Sequence, residues 1–430
     1  MKIEIENGRV IDPKNKVDRI TNVYITDGTL CGLHSRPAGF APDLKINAKD
    51  QVVCPGFIEL GSNFGDPREN HKGSLENELF AAASGGFTTV CLMPNSDCSL
   101  ETVEVVERVY RESKDSIGAK VKCIGALTGN LAGNVLSEME FLKNAGCIAF
   151  SNGKKPIVNT CVLRNALAYA STLDLLTILD AQDPWLTKSG VMRDGAPSIL
   201  AGLPGIPDSN ELIGVNRHLI LVKETGVRAH FRSLSVSQAA FLVAEEKDLK
   251  VTSDVNILHL HLCDEDIDPF DSNFNVTPPL PSKKDRDLLR LSLADGKISA
   301  LSSQHEPVNR DFKERTFESS KPGVSGFDTF LPLMLNLLED KTFEISKLIA
   351  SVTSLPSEIL RLEEGDLSIG KSANICIFDP NLEWKAEPDK LMSWGKNTPF
   401  INKRLKGKVT NTIVAGDLVY SSENNRFSTK

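Results

Sequence analysis

Hydrolytic or metal chemistry needs clustered histidines, cysteines and carboxylates, and in this sequence they are thinly spread. Seven histidines occur in 430 residues: His34, His71, His218, His230, His259, His261 and His305. His259 and His261 sit in the alternating run Leu258-His259-Leu260-His261-Leu262, which on a strand would put both imidazoles on one face, as a metal pair requires. Two structural histidines are the simpler reading of the same run. The nine cysteines form no Cys-x-x-Cys pair, and most lie among apolar neighbours, as in Val90-Cys91-Leu92 and Ile375-Cys376-Ile377. Such thiols are expected to be reduced and buried, in a cytoplasmic chain, rather than zinc-bound or bridged. Ser-His-Asp or Cys-His catalysis needs a base oriented beside its nucleophile, and no local motif picks out such a pair.

Bulk properties narrow the class. Net charge is −8, which argues against a general nucleic-acid surface. Hydrophobic residues at 40% and charged residues at 25% are globular values and exclude a disordered chain. No apolar run approaches the roughly 20 residues of a membrane span. The opening Met1-Lys2-Ile3-Glu4-Ile5-Glu6 alternates like a strand, not like a signal peptide.

The elements that must position any site follow from periodicity. Alternating runs at residues 2–5 and 22–25 are broken by Asn7-Gly8, Asp12-Pro13 and Asp27-Gly28, read as turns between strands. The far end repeats the pattern: residues 373–378 are stopped by Asp379-Pro380, and residues 412–414 turn at Gly416-Asp417 into 418–420. We therefore expect one small composite β-sandwich domain from residues 1–54 and 366–430. Between them, 55–365 alternates short β-branched runs (88–93, 147–150, 175–179, 227–231, 298–301) with helical spacing such as Val103, Val106, Val109 and Tyr110. Repeated βα units of this length predict an α/β fold, a (β/α)8 TIM barrel rather than an open sheet. No Gly-x-Gly-x-x-Gly follows a strand, which disfavours a dinucleotide fold.

In such a barrel chemistry gathers at the C-terminal strand ends. There the run Pro55-Gly56-Phe57-Ile58-Glu59-Leu60-Gly61-Ser62-Asn63-Phe64-Gly65 resembles the signature Pro-Gly-Phe-Ile-Asp-Leu-His-x-His-x-Arg of the dihydroorotase and hydantoinase branch of the cyclic amidohydrolases. The resemblance extends over essentially the whole chain, through Met93-Pro94-Asn95, Leu203-Pro204-Gly205-Ile206-Pro207, Leu293-Ala294-Asp295-Gly296 and Pro322-Gly323-Val324-Ser325-Gly326 to Lys396-Asn397-Thr398-Pro399-Phe400. It implies a zinc-dependent hydrolase of cyclic amide C–N bonds. Residue by residue, however, the family's metal histidines fall on Gly61 and Asn63, and its substrate arginine falls on Gly65. Its metal-bridging position falls on Asn152 of Phe150-Ser151-Asn152-Gly153, and its His-Ala-Glu-Asp stretch reads Asp180-Ala181-Gln182-Asp183. The last metal histidine falls on Ser233 of His230-Phe231-Arg232-Ser233. The Asn-Pro-Pro-Leu-Arg substrate grip has become Thr277-Pro278-Pro279-Leu280-Pro281. The general-base aspartate of Asp-His-Ala-Pro has become Gln304, before His305.

A zinc ion lowers the pKa of its bound water from roughly 15.7 to about 7 and polarises the scissile carbonyl. It needs several imidazole, thiolate or carboxylate donors at about 2.0–2.2 Å for nitrogen and oxygen. Glycine offers no donor, asparagine and serine are poor ones, and Gln304 cannot take a proton. The expectation is a pseudoenzyme with no catalytic residues and no bound metal, its pocket keeping Asn95, Gln182, His230 and His305. A rebuilt site on Asp180, His230 and His305 is the alternative, giving a divergent dihydroorotase-, hydantoinase- or allantoinase-like hydrolase. Arg310, Lys313, Glu314 and Arg315 read as a charged surface loop, and residues 263–268 as a solvated acidic one. Resemblance to inactive dihydroorotase-like chains further implies a partner, aspartate carbamoyltransferase, in pyrimidine biosynthesis. It also implies a homo-oligomer.

Overall fold

The computed structural model describes residues 1–64, 73–95 and 98–423. Eight strands pair in parallel, in sequence order: Phe57–Ser62, Phe87–Leu92, Lys120–Ala126, Ala149–Ser151, Leu176–Asp180, Arg228–Arg232, Val251–Asn256 and Ala300–Ser302. They are called the first to eighth barrel strands below. The first and eighth meet at the seam, where Asn63 N donates to His305 O at 2.8 Å and Ser303 N donates to the Glu59 carboxylate at 2.9 Å. The expected TIM barrel is therefore present. Five of its strands match the β-branched runs seen in the sequence to within a few residues. The third and seventh, Lys-Val-Lys-Cys and Val-Thr-Ser-Asp, carry too many polar residues for periodicity to single them out.

Helices cover the barrel and bury one face each. Val103–Lys114 does so through Val106 and Val109, and Leu75–Ser84 through Leu75, Leu79 and three alanines. Their starts are fixed locally: the Ser74 hydroxyl accepts Asn77 N at 3.2 Å, and the Ser282 hydroxyl accepts Asp285 N at 3.0 Å ahead of Lys283–Ala294. A second apolar cluster joins Ile58, Leu60, Cys91, Ile124, Leu176 and Ile178 to Ile359 and Leu360. Side chains thus fill the lower barrel, and polar chemistry is confined to the opposite end.

Besides a two-stranded ribbon of Met192–Arg193 and Gly205–Ile206, a second eight-stranded sheet draws strands from both ends of the chain. Its order is Asp417–Ser421, Arg404–Val414, Ile375–Lys385, Val52–Pro55, Lys2–Asp12, Val17–Thr26 and Thr29–Leu33, with Leu44–Asn47 parallel to Lys2–Asp12. Ile3, Ile5, Val23 and Ile25 share one core with Ile375, Ile377, Ile413 and Leu418. Asp27-Gly28 makes the expected hairpin turn, with φ of 46° and 82°. Asn7-Gly8 does not: it is a bulge inside the continuous strand Lys2–Asp12, where a Cβ on Gly8 would lie 2.5 Å from Val53. Asp379-Pro380 likewise interrupts the ladder without ending the strand.

Candidate functional site: the polar end of the barrel

The strand ends carry most of the singled-out residues, and most of these are engaged with the protein itself. On the fourth strand end, Asn152 accepts the Thr128 hydroxyl at 2.6 Å and donates to Leu131 O and Lys155 O at 3.2 and 2.8 Å. Gln182 donates to Lys154 O at 2.6 Å, and Lys154 pairs with Glu306. Asn95 closes a turn by accepting Cys98 N at 2.8 Å. Gln304 bridges Asn256 and Thr277 O, the latter at 2.7 Å. Pro281 O accepts Asp264 N at 2.8 Å. Gly65 and His71 lie outside the described residues.

Asp180, His230 and His305 are not brought together as a ligand set. His230 uses both ring nitrogens, on Thr252 and Asp254, at 2.8 Å each. His305 pairs with buried Glu78 at 2.7 Å, accepts Gly326 N at 3.2 Å, and stacks on Phe327 at 3.8 Å. Asp180 faces Arg232 at 3.4 Å. Among the described residues no three His, Cys, Asp or Glu side chains gather as a metal would require. His259 and His261 are not on a strand: residues 257–260 form a short 3-10 helix, because the seventh strand ends at Asn256, whose side chain caps the turn. Their Nε2 atoms meet Pro278 O and Leu333 O at 3.2 and 2.9 Å, and burial pushes both imidazoles down to about 4.

Four residues the sequence did not single out dominate the electrostatics. Arg232, 3% exposed at the end of the sixth strand, donates to Gly61 O at 2.9 Å and faces Asp180. Asp254, fully buried, accepts Ser233 N and the Ser302 hydroxyl at 2.9 Å besides its pairing with His230. Burial works against its charge, but His230 and Arg232 outweigh it and hold this carboxyl below the usual range. Burial lifts Glu59 to about 7 and raises Asp180, in each case partly offset by Arg232. Glu78 completes the set as the partner of His305. The alternation of His230 and Arg232 along one strand was the available signal, since both must share a face.

Two surface expectations are corrected. Lys313 is buried, donating to Ser272 O and Asn275 O at 3.0 and 3.1 Å, and burial lowers it to about 7. Asp264 of the acidic stretch is also buried, held by Arg193 at 3.2 Å. Beside the mouth lies a cavity of about 80 Å³, lined by Lys154, Asp180, Arg193, Arg232, Ser233 and Thr277 among others. That is small against the roughly 300–1,000 Å³ of ordinary small-molecule sites. Ser233 Oγ and Asp180 Oδ2 are buried there without a protein partner. The donor set does not fit the zinc ion that the family resemblance implies. Gly61, Asn63, Asn152 and Ser233 provide no anionic or imidazole donor, and a guanidinium stands against Gly61.

A closed parallel barrel with its polar end at the strand C-termini, joined to a sheet from both chain ends, defines the architecture of the cyclic amidohydrolases. A likeness to L-hydantoinase (dihydropyrimidinase) from Arthrobacter aurescens agrees in fold, with a TM-score of 0.86 over 99% of this chain and 97% of that one at 19% identity. The particular family follows from sequence: the chain belongs to the dihydroorotase-like family. A profile described as dihydro-orotase-like matches residues 50–238. A "Dihydroorotase-like protein" of Pseudomonas putida is 38% identical over 98% of this chain and all of its own length. A protein named "Dihydroorotase" from Syntrophus aciditrophicus (strain SB) is 33% identical over the same shares.

Proposed function

We propose that this chain is a non-hydrolytic member of the family, serving as a structural partner of aspartate carbamoyltransferase in pyrimidine biosynthesis. The observation that carries the loss of hydrolysis is that the old ligand stations keep no imidazole and, apart from Asp180, no anionic donor, while Arg232 stands against Gly61. The carbamoyltransferase partnership is supported by resemblance to inactive dihydroorotase-like chains. Free thiols throughout the chain fit a reducing compartment. No helix among the described residues is long and apolar enough to cross a membrane.

The test is metal analysis of the purified chain together with dihydroorotate hydrolysis, followed by co-purification with a carbamoyltransferase. Sub-stoichiometric metal, no turnover, and loss of carbamoyltransferase activity when this chain is withheld are expected. Stoichiometric zinc with turnover would overturn the proposal. A second reading, a hydrolase with a reduced metal site, is favoured by full-length relatives named "Dihydroorotase", such as that of Geobacter sp. (strain M21) at 33% identity.

A further inference from the structure

We propose that the Arg232 guanidinium is the resident cation of this barrel, a fixed side-chain replacement for a metal ion, with Gly61 as its required counterpart. The guanidinium reaches from the sixth strand to the first, donating through Nη2 to Gly61 O at 2.9 Å and pointing Nη1 at Asp180 at 3.4 Å. A Cβ on residue 61 would stand 3.0 Å from Arg232 Nε, 3.0 Å from Met93 Cγ and 3.1 Å from its sulfur. A side chain at 61 therefore crowds the guanidinium, and either Arg232 or Met93 has to give way to it.

Charge accounting supports the same assignment. Glu59 and Asp254 are fully buried at this end and Asp180 is partly so, and Arg232 favours the charged form of all three, joined at Asp254 by His230. Lys154 acts on Asp180 but is committed to Glu306. Acids taken out of water are tolerated only beside a compensating positive charge. A metal supplies that charge only when loaded. A guanidinium stays protonated at any working pH, and its planar fork holds its donors in fixed directions toward two groups, where a lysine ammonium is a compact point charge without that fork. Removing the donor-bearing side chain at 61 opens the space, and Arg232 both fills it and neutralises what surrounds it.

Thermal unfolding of the full chain tests this, comparing wild type, Arg232→Ala, Arg232→Lys, Gly61→Ala and the double variant Gly61→Ala/Arg232→Ala. Arg232→Ala is expected to lower Tm by roughly 5–10 °C. Low-millimolar guanidinium should restore part of that loss where equal sodium chloride does not. Gly61→Ala should lower Tm in the native background and do less harm once Arg232 is gone, a non-additive pair. Arg232→Lys, which keeps the charge and is the variant to rely on if the alanine form does not accumulate folded, should melt below wild type. Wild-type Tm should be unmoved by zinc or by a chelator. Melting of Arg232→Lys and Arg232→Ala alike at the wild-type temperature, strict additivity with Gly61→Ala, or a zinc-dependent rise in wild-type Tm would each overturn the inference. Failure here would leave the non-hydrolytic reading standing, because turnover and partner binding are measured separately.

Discussion

Asp254 shows how one side chain can hold several strand ends. It ties the sixth strand through His230 and Ser233 N, and the eighth through the Ser302 hydroxyl. Asp254→Ala leaves His230, Ser233 N and the Ser302 hydroxyl without their shared buried acceptor and should cost about 3–5 kcal/mol in denaturant unfolding. Asp254→Asn keeps an acceptor for Ser233 N and should cost less. Because its carboxyl sits below the unfolded range, Asp254 contributes stability that is present above the unfolded pKa and lost as pH falls through the folded one. The wild type should therefore weaken more steeply in acid than Asp254→Asn. At this scale the sequence was half legible. The absent donors at Gly61, Asn63, Asn152 and Ser233 can be read directly from residue type. Arg232 offered only its alternation with His230, and Asp254 no signal, because their meaning depends on strands meeting across the barrel and on a seventh strand too polar to recognise.

The helix Ser209–Thr225 acts on the mouth as a unit. Its Glu211 accepts Ser235 N at 3.1 Å and Val236 N at 3.0 Å, pinning the loop after the sixth strand. Burial lifts this carboxyl to about 7 despite those donors. A raised acid contributes stability that is complete below the unfolded pKa and declines as pH rises through the folded one. Glu211→Gln should therefore flatten the loss of stability between about pH 4.5 and 7, followed as denaturation midpoint against pH. One turn further along, Gly214 rests on the loop after the fifth strand, where a Cβ would stand 2.6 Å from Gln182 N. Alanine normally gains about 1 kcal/mol over glycine in a helix. Here the obstacle is backbone, so Gly214→Ala should instead cost about 1–3 kcal/mol in chemical denaturation. Helical spacing picks out Val103–Lys114 in the sequence, but not Ser209–Thr225, nor the side of the barrel that each helix braces.

At the scale of the molecule, the barrel and the sheet cannot be built independently. Val52–Pro55 leads into the first barrel strand and is flanked by Lys2–Asp12 and Ile375–Lys385. A chain ending before residue 366 would lack the Ile375 and Ile377 half of the sheet core. It should accumulate in the insoluble fraction, and a soluble, monodisperse product in gel filtration would contradict this. The meeting of both ends was legible because each carries alternating runs and turn residues; the bulges that bend those strands looked like turns and were not. The same pairing orders events during synthesis. Pro55 aligns with Ile375, so the edge it offers stays open while about 320 residues are made. At a typical translation rate that is on the order of half a minute. During that interval a nascent chain carries an apolar strand with one edge unpaired, which can capture a neighbour on the same message until the last strands emerge.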